Sequence, residues 1–239
     1  RQRQMCIRDS NWQDELWLVA GGIFGGSLYF FTENTALGIT QASNVSFIIC
    51  TAPLLTTILS LLFYKSEKAS KGLIYGSLLA LMGVGLIVFN GSFVLKISPI
   101  GDLLTLLAAL SWAFYSLIIK KMAGRYPTIF ITRKIFFYGV LTILPAFLLH
   151  PLHPDTAVLL QPAVLFNLLF LAVLASLICY VLWNVVLKQL GTVRASNYIY
   201  LNPLVTMIAS FLILDEKITL VALGGAACIV CGVYWAEKK

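Results

Sequence analysis

The sequence predicts an all-α membrane protein built from inverted repeats, and three observations carry that expectation. The 239 residues are 59% hydrophobic and only 11% charged, with a mean hydropathy of +0.90, whereas a soluble domain is about a quarter charged. The apolar residues gather into segments long enough to cross a bilayer. A stretch in the second half, Tyr180 to Lys217, repeats the plan of one in the first half, Tyr29 to Lys68. So little charge cannot cover a water-exposed surface, and lipid is the expected solvent.

A bilayer core of about 30 Å takes roughly 20 apolar residues as helix. Spans are expected at 16–38, 42–64, 72–91, 102–120, 129–149, 163–187, 194–214 and 218–236. The first carries Glu33 and Asn34, and it is too long for a cleavable signal peptide. The second carries Asn44 and Pro53. The third is marked by Gly76, Gly83 and Gly85, which allow close helix packing. The fourth opens at Asp102 and holds Ser111, Trp112 and Tyr115. The fifth ends ahead of a proline-containing loop with His150 and His153. The sixth carries Asn184, the seventh Ser196, Tyr200, Asn202 and Pro203, and the eighth Gly224, Gly225 and Gly232. Residues 1–10, RQRQMCIRDS, resemble a translated adapter sequence and are set apart as a non-native segment.

The repeat can be read residue by residue. Leu37 to Asn44 matches Leu190 to Asn197, Pro53-Leu54 matches Pro203-Leu204, and the charges at Lys65 to Lys68 answer those at Asp215 to Lys217. Orientation follows from the loops. Lys65, Lys68, Lys71, Lys120, Lys121, Arg125, Arg133, Lys134, Lys188, Arg194, Lys238 and Lys239 fall on one side, and only Lys96 and Lys217 on the other. The positive-inside rule puts the first side, with the C-terminus, in the cytoplasm. The two proline-bearing segments are the second and seventh spans, five places apart, and an odd offset inverts the copy. Inverted repeats around a central site are an arrangement of transporters. The second repeat, 101–237, has five spans and the first, 11–92, has three. Eight of an expected ten transmembrane helices are therefore present, with two more expected ahead of Trp12.

At these residues the chain resembles the EamA-like family of drug/metabolite transporters. The resemblance rests on Gly101-Asp102-Leu103-Leu104, on Ala109 to Tyr115, on Tyr180 to Asn184, and on Arg194-Ala195-Ser196 with Asn202-Pro203. Asp215-Glu216 and a Gly-rich last helix complete it, as does Glu33 to Leu37 through Pro53 in the first repeat. It covers about residues 16–237. It implies two five-helix repeats and export of an amino acid or related solute. The chain departs from the family pattern at Asn202, where many relatives carry Glu.

Pro53 and Pro203 lack an N–H and clash with the carbonyls of Ile49 and Ile199, so both helices should kink there. Ser111, Trp112 and Tyr115 lie about 15 Å into their helix, near the membrane midplane. Trp prefers the interface, so the group reads either as a cavity wall or as core packing. Asn184, Ser196, Tyr200 and Asn202, with Asn34, Asn44 and Ser46 in the opposed half, must point inward. They serve either a solute or helix–helix hydrogen bonding. Glu33 is the carboxylate well inside an apolar segment, a candidate for amine recognition or proton coupling.

The rival signals are weak. Cys228 and Cys231 lack a second ligand pair for a metal. Asn90-Gly91-Ser92 fits a glycosylation sequon. No phosphate loop and no nucleophile constellation is visible, and the dispersed basic residues do not fit nucleic acid. The expectation is a non-enzymatic secondary transporter without cofactors in a plasma membrane such as a bacterial inner membrane. Its partners are a small solute and lipid, with proton coupling and a homodimer left open. A membrane scaffold or an inactive fragment is the alternative.

Overall fold

The computed structural model describes residues 11–64, 70–89, 98–149, 156–214 and 218–238. Residues 1–10, Lys65 to Lys68, Asn90-Gly91-Ser92, Lys96, His150, His153 and Asp215 to Lys217 lie outside the described residues. Every regular element among those described is helical. Six helices have the length and apolarity to cross a membrane: Ala42–Phe63, Lys71–Phe89, Pro99–Ala123, Thr128–Ala146, Pro162–Leu190 and Leu220–Glu237. Two further helical stretches, 12–39 and 192–214, occupy the other positions expected from the sequence.

The first stretch begins at α1 (Trp12–Gly22), four residues ahead of the expected span. Asp14 and Glu15 sit in its first turn, where carboxylates meet the positive end of the helix dipole. A polar turn of this kind does not register in a hydropathy window. A π-turn, Ile23–Ser27, joins α1 to α2 (Leu28–Ile39). One extra residue in the turn displaces backbone carbonyls from the regular ladder, and these acceptors matter at the site described below.

Both proline-bearing segments leave the regular α-helix just ahead of the proline, within a continuous helical course. The first divides into α3 (Ala42–Ile49) and α4 (Ala52–Phe63), with Cys50 and Thr51 outside either helix and Pro53 in the first turn of α4. A first-turn proline gives up an N–H that has no intrahelical partner anyway. Thr51 caps the exposed end, its Oγ1 donating to the Ile48 carbonyl at 2.6 Å.

α5 (Lys71–Phe89), α6 (Pro99–Ala123) and α7 (Thr128–Leu149) follow. A short α8 (Thr156–Leu159) leads to α9 (Pro162–Leu169), a π-helical run at Phe170–Ile178, and α10 (Cys179–Leu190). The second broken segment is α11 (Thr192–Asn197), a 3-10 turn at Tyr198–Leu201 and α12 (Asn202–Leu214), with Pro203 opening α12. The last helix is α13 (Leu220–Glu237).

The paired turns are not equivalent in backbone. Gly191, at φ +82°, makes the left-handed turn between α10 and α11, a conformation that suits glycine. Its sequence counterpart Gly38 lies inside α2, and the turn there falls at Thr40 with an ordinary φ of −133°.

α5 and α13, the last helix of each repeat, pack backbone to backbone. A Cβ added at Gly76 would lie 2.4 Å from the Gly232 carbonyl oxygen, and one at Gly232 would lie 2.6 Å from the Gly76 oxygen. Gly83 and Gly225 are reciprocal in the same way, at 2.5 and 2.7 Å. Small residues allow this approach where lipid supplies no hydrophobic drive between helices. Gly224, expected to share the seam, faces open space, and Gly85 meets only the Phe47 ring at 3.3 Å.

Elsewhere in the bundle, the first turn of α1 is tied to the α6–α7 turn and to α7. Asp14 is buried, receives Arg125 Nη1 at 2.6 Å, and accepts the Tyr126 hydroxyl at 2.9 Å. Glu15 receives Lys134 Nζ at 2.6 Å and the Tyr138 hydroxyl. Two of the basic residues counted in the sequence, Arg125 and Lys134, thus bond the acids that open α1.

Candidate functional site

The two broken segments meet around one cavity of about 280 Å³. Its walls come from both breaks: Ile49 and Ala52 flank the first, and Ile199 in the 3-10 turn and Asn202 at the start of α12 belong to the second. Tyr29, Trp112 and Trp183 close it from α2, α6 and α10. Pro53 and Pro203 have no N–H to offer the carbonyls of Ile49 and Ile199, and both of these residues line the cavity. In a membrane, irregular backbone of this sort belongs where it lines a cavity.

Trp112 is the centre of the aromatic wall. Its ring centroid lies 5.1 Å from Tyr29, 5.2 Å from Tyr115, 5.7 Å from Tyr180 and 5.8 Å from Trp183. These are separations at which tilted and edge-on rings attract. Of this group Tyr29, Trp112 and Trp183 face the cavity, and the Trp183 Nε1 has no acceptor within the protein among the described residues. Asn202, exposed at the opposite side, adds an amide that can both donate and accept.

A second layer locks this wall in place. Tyr115, fully buried, donates to Asn184 Oδ1 at 2.7 Å, and Asn184 Nδ2 donates to Thr132 Oγ1 at 2.9 Å. The chain of bonds joins α6, α10 and α7. The π-turn at Ile23–Ser27 supplies the other anchors. Ser111 Oγ donates to the Phe24 carbonyl at 2.8 Å and the Tyr180 hydroxyl to the Gly25 carbonyl at 2.6 Å. The Tyr115 ring fits against bare Gly25, where an added Cβ would come within 2.2 Å of it.

Glu33 reaches the cavity through a neighbour. It accepts the Tyr29 hydroxyl at 3.0 Å, one helical turn away, and Tyr29 lines the wall. The structure therefore brings Trp112 and Asn202 to the cavity, sets Glu33 one residue behind it, and puts Ser111, Tyr115 and Asn184 in the supporting layer. Asn44, Ser196 and Tyr200 are buried elsewhere: Asn44 on α3, Ser196 on α11, and Tyr200 in the core around Cys50, Ala80 and Ile229. Asn34 stays outside, its Nδ2 donating to the Phe30 carbonyl of its own helix at 2.8 Å. Tyr29, Ala109, Trp183 and Tyr198 line the cavity although the sequence gives no polar or acidic signal for them. No group of three or more His, Cys, Asp and Glu among the described residues is placed to hold a metal.

Comparison with known proteins agrees with this architecture. The profile of the EamA-like transporter family matches residues 2–89 and 99–236. A protein of Archaeoglobus fulgidus named "Uncharacterized transporter" is 29% identical over 217 residues, covering 90% of this chain and 73% of its own. Proteins named "Probable amino-acid metabolite efflux pump" are also similar. That of Salmonella typhimurium is 29% identical, covering 72% of this chain and 60% of its own. That of Escherichia coli is 24% identical, covering 83% and 69%. One solved crystal structure shares the fold, with a TM-score of 0.80 at 19% identity, over 96% of this chain and 77% of the other.

Proposed function

Because the chain belongs to the EamA-like transporter family, we propose that it is a secondary transporter, working as an exporter of small polar metabolites such as amino acids by alternating access. Its place as a multi-pass membrane transporter follows from the family and from six apolar helices. The observation that carries the finer reading is the meeting, at one cavity, of two interrupted helices that the sequence marks as copies of each other. A solute held between the breaks touches both halves, so exchanging their conformations moves it from one side to the other.

The cavity chemistry fits a solute with an apolar body and polar ends. The rings of Trp112, Trp183 and Tyr29 offer faces for an apolar or cationic group. The exposed Asn202 amide can both donate to and accept from a polar end of the solute. Glu33, which accepts the Tyr29 hydroxyl, is our candidate for coupling a proton to the movement. Similarity to proteins named as amino-acid metabolite efflux pumps supports the solute class. The charge pattern supports a plasma membrane with the C-terminus on the cytoplasmic side.

The test is transport by the full chain in proteoliposomes loaded with a mixture of labelled amino acids and related metabolites. Release of one or a few solutes above protein-free vesicles, lost in Trp112→Ala, is the expected result. No release of any solute by folded protein overturns the reading and leaves a membrane scaffold, whose signature would be a co-purifying partner.

A further inference from the structure

A second concavity, separate from the Trp112 cavity, runs along the outside of α6. It encloses about 420 Å³ between α1, the end of α4 and the last three turns of α6. Trp17, Ala20 and Phe24 form one wall, and Phe63, Phe114 and Leu117 the other. The Tyr64 hydroxyl at its edge donates to the Leu117 carbonyl at 3.3 Å. Such a lining has nothing to orient a polar solute, but it matches a hydrocarbon chain.

Its mouth is cationic. Lys121 Nζ lies over the Trp17 ring at 3.6 Å and Lys120 Nζ over the Tyr64 ring at 4.3 Å. Both lysines thus fold across the aromatic lip at the C-terminal end of α6. The acids nearest on α1 are engaged elsewhere, Asp14 by Arg125 and Glu15 by Lys134. Among the described residues no carboxylate pairs with Lys121. Aromatic rings beside lysines at a helix end are the arrangement of a membrane interface, with the ammonium at headgroup level. We propose that this groove binds one anionic phospholipid, with an acyl chain against Trp17, Phe24 and Phe114 and the headgroup phosphate between Lys120 and Lys121. The proposal is independent of transport, since none of these residues lines the Trp112 cavity.

Charge complementarity sets the expected selectivity. A lysine near anionic lipid favours it by about fivefold, so two at one mouth should give a clear preference over a zwitterionic lipid of equal chain length. The experiment reconstitutes the full chain into nanodiscs of phosphatidylcholine with increasing amounts of phosphatidylglycerol carrying brominated acyl chains. Bromine quenches tryptophan at contact, and the difference between the wild type and Trp17→Phe isolates the Trp17 signal. Brominated phosphatidylglycerol should quench Trp17 at several-fold lower mole fraction than brominated phosphatidylcholine. The preference should vanish in the Lys120→Gln/Lys121→Gln double variant and survive in Lys120→Arg/Lys121→Arg. Soluble glycerol phosphate should not displace the lipid. Equal quenching by the two lipids, an unchanged preference in the glutamine variant, or full displacement by glycerol phosphate would each overturn the proposal. Absence of quenching by either lipid would do the same, showing Trp17 covered by protein.

Discussion

Tyr115 and Asn184, 69 positions apart in sequence, are joined by a 2.7 Å hydrogen bond in which the tyrosine hydroxyl donates to the amide oxygen. Both are fully buried, and the amide nitrogen passes the connection on to Thr132. Removing the amide strands the Tyr115 hydroxyl where water does not reach, while the Thr132 hydroxyl keeps its bond to the Thr128 carbonyl at 2.9 Å. Asn184→Ala is therefore expected to cost about 1–3 kcal/mol of stability, seen as a lower melting temperature of the detergent-purified protein. In the double variant with Tyr115→Phe the losses should fall short of additive. Additive losses would show that the two side chains act separately.

The glycine seam allows a controlled comparison on one helix. Gly225→Ala drives a Cβ to 2.7 Å from the Gly83 carbonyl oxygen, while Gly224→Ala places it in open space. The first should destabilise by about 1–3 kcal/mol and the second by no more than about 0.5 kcal/mol. Thermal melts of the two variants side by side are the check, and equal effects would refute the packing described.

Asp14→Ala breaks a tie that is buried on one side only, since the Asp14 side chain is 6% exposed and that of Arg125 57%. The exposed guanidinium rehydrates, so the ion pair itself adds little. The loss should come mainly from the buried Tyr126 hydroxyl, at about 1–2 kcal/mol. Arg125→Gln should then be milder than Asp14→Ala in the same melting assay.

Transport variants separate wall from surroundings. Trp112→Ala and Asn202→Ala, which remove cavity wall, should cut the initial rate in proteoliposomes at least about tenfold, the loss of one well-placed contact of about 1.4 kcal/mol. Asn34→Ala, whose side chain bonds its own helix, should transport at the wild-type rate. A strong loss in Asn34→Ala with wild-type rates in the other two would move the site to the far end of α2.

Much of the fold could be read from the sequence because lipid imposes one rule on every segment, that apolar length means helix. The duplicated prolines marked both breaks for the same reason, since a missing N–H in hydrocarbon leaves little choice of structure. The ties at Asp14 and Glu15 were not legible, because their partners lie more than 100 positions away and the acids read as an ordinary polar helix start. The π-turn at Ile23–Ser27 was hidden in an apolar run that a regular helix would satisfy equally well. The site was half legible. Hydropathy requires a polar side chain in a membrane to face protein, but it does not distinguish Asn202, which faces a cavity, from Asn184, which faces Tyr115 and Thr132. Trp183 and Tyr29, the aromatic wall, were not among the candidates, because an aromatic ring in an apolar segment reads equally well as packing.

The reciprocal contacts of Gly76 with Gly232 and Gly83 with Gly225 have a mechanical consequence. Where two backbones touch without side chains between them, there is no rotamer to switch and no layer to shear. α5 and α13 then behave as a single stiff post shared by both halves of the bundle. In the alternating access proposed above, motion would fall to the parts that lack such contact, the interrupted helices α3–α4 and α11–α12, like two doors hung on one frame.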